Sequence, residues 1–154
     1  MVRQVLYAMR FVGRATPVGE IGAALQITAI APSSALSAIV GPGGLQGTFD
    51  LVPGGEATFT SQLTVTAAET FLEIGAVTFG DGHRLRLTTV GSGYLGASAD
   101  PALQQGAVIW RIEEGEGQFA GASGLICANV LLPDNGQIVA HHLGLILMPE
   151  SRPP

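Results

Sequence analysis

The sequence contains no lysine, so its seven basic side chains are all arginines. That absence excludes Schiff-base chemistry through a lysine amine and the phosphate-binding lysine of a P-loop. Charge of either sign is scarce: charged residues make up 12% of the 154, against roughly 25% in an ordinary soluble domain. The net charge of −5 comes from seven arginines against twelve acids scattered without runs, a balance that provides no basic surface for nucleic acid or an anionic membrane. With Cys127 as the only cysteine, no intrachain disulfide can form and nothing points to an oxidising compartment. Long apolar runs are missing too. Arg3, Arg10 and Arg14 interrupt the N-terminal segment where a signal peptide would need an unbroken apolar stretch, and no segment reaches the ~18 apolar residues of a membrane span. The expectation is a soluble, cytoplasmic protein with neither a nucleic-acid nor a membrane partner.

What is present is apolar: 47% of the residues are hydrophobic, in a chain long enough to bury a core without disulfides or a structural metal. The reading is one domain over residues 1–150 and a frayed tail at 151–154. Residues 3–14 alternate as a strand, with Val5, Tyr7, Met9 and Phe11 on one face. The stretch 23–31 reads as a strand or a short helix ended by Pro32, and 35–40 is apolar up to the turn signal Gly41-Pro42-Gly43-Gly44. From Leu45 onward strands are expected at about 45–52, 56–66, 69–79, 83–91, 106–113, 122–132 and 137–148. They are separated by Pro53-Gly54-Gly55, Ala67-Ala68, the tight turn Gly80-Asp81-Gly82, a longer loop at 92–105, Gly115-Glu116-Gly117 and Pro133-Asp134-Asn135-Gly136. Many strands at this spacing predict an all-β meander, closed as an antiparallel barrel of about eight strands or folded as a sandwich.

The last two strands are apolar on both faces. In 137–148, Ile138, Ala140, His142, Gly144, Ile146 and Met148 oppose Val139, His141, Leu143, Leu145 and Leu147; in 122–132, Leu125, Cys127, Asn129 and Leu131 oppose Ile126, Ala128, Val130 and Leu132. A barrel strand of that kind lines the lumen with one face and covers the other with a partner subunit, so a homo-oligomer, dimer or trimer, is expected through these strands.

Several motifs lose their obvious meaning in context. Gly91-Ser92-Gly93-Tyr94-Leu95-Gly96 matches G-x-G-x-x-G, but Asp100-Pro101 and a strand at Gly106 leave no room for the helix a dinucleotide site needs. His141 and His142 are adjacent in a strand and point to opposite faces, so they cannot share a metal ion; no metal is expected. No G-x-S-x-G elbow occurs, and Cys127 reads as a small buried hydrophobe. Glu73 stands out because it shares a face with Phe71, Gly75, Val77 and Phe79. A carboxylate there is paired, for instance with Arg84 or Arg86, or lies at a rim, or is buried with a raised pKa and serves as a general acid or base. Trp110 shares its face with Val108 and Ile112 and reads as a core or lumen-wall residue.

Residues 115–124, GEGQFAGASG, follow the strand AVIWRIE and precede LICANVLL. This hairpin, through Gly115, Gly117, Phe119, Ala122 and Gly124, resembles that of the allene oxide cyclases and dirigent proteins, with the glycines allowing the turn and Phe119 plugging one barrel end. The upstream IGAVTFGDGHRLRLTTVGSGYL is similar to small bacterial proteins of the same superfamily, and the resemblance spans roughly residues 45–148. It implies an eight-stranded antiparallel barrel, dimeric or trimeric, with an apolar cavity and no cofactor. It also implies cyclisation or guided coupling of a reactive hydrophobic metabolite, of the kind found in natural-product biosynthesis; the alternative, from a different class, is a non-catalytic lipocalin-like carrier of a hydrophobic ligand. The expected catalytic residues are Glu73 as acid or base with Tyr7 and His142 as hydrogen-bond donors. Trp110, Phe71, Phe79, Met9, Phe11 and Asn129 are the expected ligand contacts.

Overall fold

A computed structural model describes residues 2–20 and 23–150; the tail expected to fray at 151–154 lies outside them. The described residues form nine strands and one short 3-10 turn. They are β1 (Val2–Pro17), β2 (Ala24–Gly41), β3 (Gly44–Ala67), β4 (Thr70–Phe79), β5 (Arg84–Thr89), β6 (Gly93–Ala97), β7 (Leu103–Glu116), the 3-10 turn Gly117–Phe119, β8 (Ser123–Pro133) and β9 (Gln137–Pro149). Eight strands hydrogen-bond in the order β3-β2-β1-β9-β8-β7-β5-β4, and β3 pairs with β4 to close the ring. All pairings are antiparallel. The fold is all-β, as the alternation and turn spacing predict. No helix among the described residues is long and apolar enough to cross a membrane.

Side-chain parity builds the interior. Each strand contributes alternate residues to the lumen: Tyr7 and Phe11 from β1, Ile27 and Ala29 from β2, Phe59 and Leu63 from β3, Val77 from β4, Leu85 and Leu87 from β5, Val108 and Trp110 from β7, Ile126 and Ala128 from β8, Ile138 and Ala140 from β9. Phe119 is buried after the glycine-rich turn, with its ring centroid 5.3 Å from that of Phe79, so it plugs one end.

Four segments differ from the sequence reading. Residues 24–41 are one long strand: Pro32 does not end it, because the β2–β3 register slips there. Between the pairs Pro32↔Glu56 and Ser34↔Leu51, the β3 side carries residues 52–55 against Ser33 alone. Pro53-Gly54-Gly55 is therefore a bulge inside a strand and not a turn, since proline's missing N–H costs nothing where the ladder is already interrupted. Beyond the bulge β2 and β3 continue as a largely exposed two-stranded arm, touching the barrel where the Phe49 ring lies 5.5 Å from that of His141. The loop expected at 92–105 contains β6, which is held by its partners Phe71 and Ala107 and not by local propensity. Its Gly93 backs onto the Phe71 ring so closely that any side chain would collide with it. No helix follows Gly91–Gly96, so the dinucleotide motif has no helical context.

The fourth difference concerns β8. Its inner face is Ile126, Ala128, Val130 and Leu132, so Cys127 is exposed and not the buried hydrophobe its apolar neighbours suggest. The outer surfaces of β1, β8 and β9 expose Leu6, Leu125, Leu143, Leu145 and Leu147.

Candidate functional site

Glu73 lies where β4 changes partner. Residues 74–78 pair with β5, whereas Thr70 and Phe71 pair with β6. At the junction the Thr89 hydroxyl substitutes for a strand: it accepts from the Glu73 backbone N–H and donates to the Glu73 carbonyl, both at 2.7 Å. That clamp aims the side chain inward, where it is 4% exposed. Ser61 of β3 donates to Glu73 Oε2 at 2.5 Å. Arg84 and Arg86 do not reach it; both are on the outer face, where Arg86 pairs with Glu114 at 3.1 Å. With no cation beside it, burial pushes the Glu73 carboxyl up to about 7, the Ser61 hydroxyl and the Trp110 indole drawing it partly back. A carboxyl poised there can give or take a proton at neutral pH.

Trp110, 1% exposed, stands in the same transverse row: Thr89 is paired with Trp110 across β5 and β7. Its indole N–H has no acceptor at hydrogen-bond geometry. Phe71, Phe59, Leu63 and Ile27 join Glu73 and Trp110 around an apolar cavity whose more exposed members are Leu25, Leu95, Val130 and Leu132. The centre of a water-sized sphere has about 20 Å³ in which to move there, room for one or two waters. In this closed form the barrel is nearly filled.

Tyr7 and His142 make a second buried polar pair below that cavity, with the Tyr7 hydroxyl 3.0 Å from His142 Nδ1. The tyrosine has no other partner among its side-chain bonds, and a buried hydroxyl proton needs an acceptor. Tyr7 therefore donates to Nδ1, which leaves the proton of the neutral imidazole on Nε2, an atom with no partner of its own. Aromatic rings surround it: Phe11 at 4.7 Å, Trp110 at 4.9 Å and Phe59 at 5.2 Å between centroids. Burial, with a smaller contribution from His141, pushes His142 down to about 3, and burial pushes the Tyr7 phenol up. Both are neutral at physiological pH.

The sequence-predicted residues thus divide into groups. Glu73, Trp110 and Phe71 meet at the cavity. Tyr7, His142 and Phe11 form the aromatic layer beneath it. Met9 and Phe79 face a separate groove with Ala31, Ser33, Ser34, Glu56 and Ala57, which opens where β2 leaves β1 after the pair Val12↔Ile30. Asn129 faces outward and is exposed, so it does not reach the cavity. His141 is on the outer face, and no group of three or more potential metal ligands occurs among the described residues. Ser61, Thr89 and Phe59 were missed by sequence reasoning. The signal for Ser61 was present: it is the only polar member of the face Ala57, Phe59, Ser61, Leu63.

No family model and no curated protein matches the sequence. Among solved structures, the chain is similar to a pterocarpan synthase dirigent protein, with a TM-score of 0.63 at 14% identity over 97% of this chain and 90% of that one. The fold is dirigent-like. At that identity the likeness concerns the backbone path and carries no residue role across.

Proposed function

We propose that this protein is a cofactor-independent cyclase or isomerase, allene oxide cyclase-like in its chemistry, acting as a homo-oligomer on a small hydrophobic metabolite held at the Glu73 end of the barrel. The observation that carries the proposal is a carboxyl buried in the wall of an apolar cavity without a cation to neutralise it, a setting that pushes it up to about 7. A structural carboxylate gains nothing from such a position, because the ionised form loses its hydration and acquires only one strong hydrogen bond in return. The dirigent-like barrel supports the reading at the level of architecture, since the neighbour is itself described as a synthase. Substrate enters by displacing the partly exposed Leu25, Leu95 and Leu132. The surrounding rings hold its reacting atoms in one conformation, a contribution of several kcal/mol when the orientation is right. Glu73 then transfers the proton, with Ser61 and Thr89 fixing its carboxyl and backbone, and Tyr7 and His142 as neutral polar support beneath.

The filled interior favours a second reading, a barrel that is only a scaffold. Native mass spectrometry of protein purified from its host, with any bound small molecule released and identified, separates the two. A bound apolar metabolite supports the enzyme or a carrier, whereas ligand-free peaks followed by no thermal shift across a panel of hydrophobic metabolites support the scaffold. With a substrate identified, Glu73→Gln lowers turnover by about 10²-fold or more while leaving the melting temperature near that of the parent; a loss under threefold removes Glu73 from the mechanism, and equal binding without turnover in either protein identifies a carrier.

A further inference from the structure

Two donors meet in the wall of the cavity, where the one acceptor, Glu73 Oε2, is already engaged by Ser61. The Trp110 indole N–H, on a side chain 1% exposed, faces the Glu73 carboxyl without making a well-formed hydrogen bond to it, and a buried donor left in that state is costly. The Glu73 carboxyl lies beside it and is committed at Oε2, where Ser61 donates. When Glu73 carries its proton, that proton is on Oε1, the oxygen not engaged by Ser61, so the wall presents an O–H and an N–H together. The other lining side chains are apolar, among them Phe59, Phe71, Leu63 and Ile27. His142, packed against Trp110 at 4.9 Å, adds no acceptor, because its Nδ1 is taken by Tyr7. An apolar chamber with two buried donors at one point is complementary to a group with lone pairs and no proton of its own.

We propose that the Trp110 indole N–H and the protonated Glu73 carboxyl together bind the carbonyl oxygen of the ligand, so that the preferred substrates are compact ketones or enones rather than hydrocarbons or alcohols. The proposal rests on the ligand-binding reading above and makes it more specific. A carbonyl oxygen accepts both hydrogen bonds at once, an alcohol brings a proton whose one acceptor, Glu73 Oε2, already takes the Ser61 hydrogen bond, and a hydrocarbon leaves both donors orphaned.

The protein supplies its own reporter, because Trp110 is the sole tryptophan. Cyclohexanone and methylenecyclohexane have nearly the same shape and differ in whether the exocyclic atom accepts hydrogen bonds; cyclohexanol adds the hydroxyl case. Their titration at pH 5.5, where Glu73 is protonated, is read by Trp110 emission and by calorimetry. The expected result is cyclohexanone binding at least tenfold more tightly than either analogue, with a red shift of the indole emission for the ketone alone. In Trp110→Phe, followed by calorimetry, the preference falls to within about twofold while methylenecyclohexane still binds, which also shows that the variant is folded. Equal binding of all three by the parent protein overturns carbonyl recognition and leaves the cavity reading standing. Binding of none overturns both. A ketone preference that survives in Trp110→Phe transfers the recognition to another group and overturns the role given to Trp110.

Discussion

At the scale of single residues, two buried titratable groups act in opposite senses on stability. Glu73 has its pKa raised from 4.5 to about 7 in the folded protein, so between those values the folded state holds a proton that the unfolded chain has lost, and stability falls as pH rises through the window. His142 has its pKa lowered from 6.5 to about 3, so between 3 and 6.5 the unfolded chain binds the extra proton, and stability rises with pH. From about pH 4.5 to 6.5 the two slopes cancel. Removing one group unmasks the other: Glu73→Gln gains stability with rising pH across that window by up to about 1.4 kcal/mol per pH unit, whereas the parent is nearly flat. Urea unfolding at a series of pH values measures this, and parallel profiles for the two proteins would count against the buried state of Glu73. Parity singled out Glu73 among apolar neighbours and left its burial as one of three readings, and it set His141 and His142 on opposite faces without saying which faced inward. The inward reading of Asn129 and Cys127 failed because both faces of β8 are apolar and hydrophobicity cannot then say which one turns inward. Ser61 and Thr89 act through register, which pairs Ser61 with Gly75, and register between strands is not written in either strand by itself.

At the scale of elements, the turn after β7 carries more than its length suggests. Gly117 has φ +64°, a conformation that side chains rarely adopt, and its amide neighbour Gln118 donates to His83 Nδ1 at 3.0 Å, which ties the turn to the β4–β5 hairpin. The tie places Phe119 over the end of the core. Phe119→Ala should lower stability by about 3 kcal/mol, the lower part of the usual range for a buried phenylalanine, because the barrel end collapses only in part around the vacancy. A loss under 1 kcal/mol in urea unfolding would mean that Phe119 is not a plug. Turn chemistry was read correctly at Gly80–Gly82 and at Pro133–Gly136, where glycine and asparagine meet real reversals. It misled at Pro53-Gly54-Gly55, because the same residues serve a bulge as well as a turn, and only the partner strand distinguishes the two. β6 was missed for a related reason: five residues with two glycines have little strand propensity, and pairing on both sides supplies the rest.

At the scale of the whole molecule, leucines are exposed on β1, β8 and β9, and Leu36, Val40, Leu45 and Leu51 are exposed on the arm of β2 and β3. A surface of this kind is expensive to leave in water, and the proposed oligomer would cover it. Sedimentation velocity should show a dimer or trimer for the parent and a monomer for the double variant Leu143→Arg, Leu145→Arg; a monomeric parent removes the oligomer from the proposal. A further consequence follows from the ring itself. β9 is hydrogen-bonded on one side to β8 and on the other to β1, in a register that runs from Val2↔Pro149 to Arg14↔Gln137. In chain order, then, β1 waits for β9, and until β9 is in place the sheet has two open edges, at β1 and β8. Val2 of β1 and Pro149 of β9 are paired with one another once it closes. A linker joining them, with new termini cut at Asp134-Asn135, would give a circular permutant that preserves every strand pairing while making β9 the first strand synthesised.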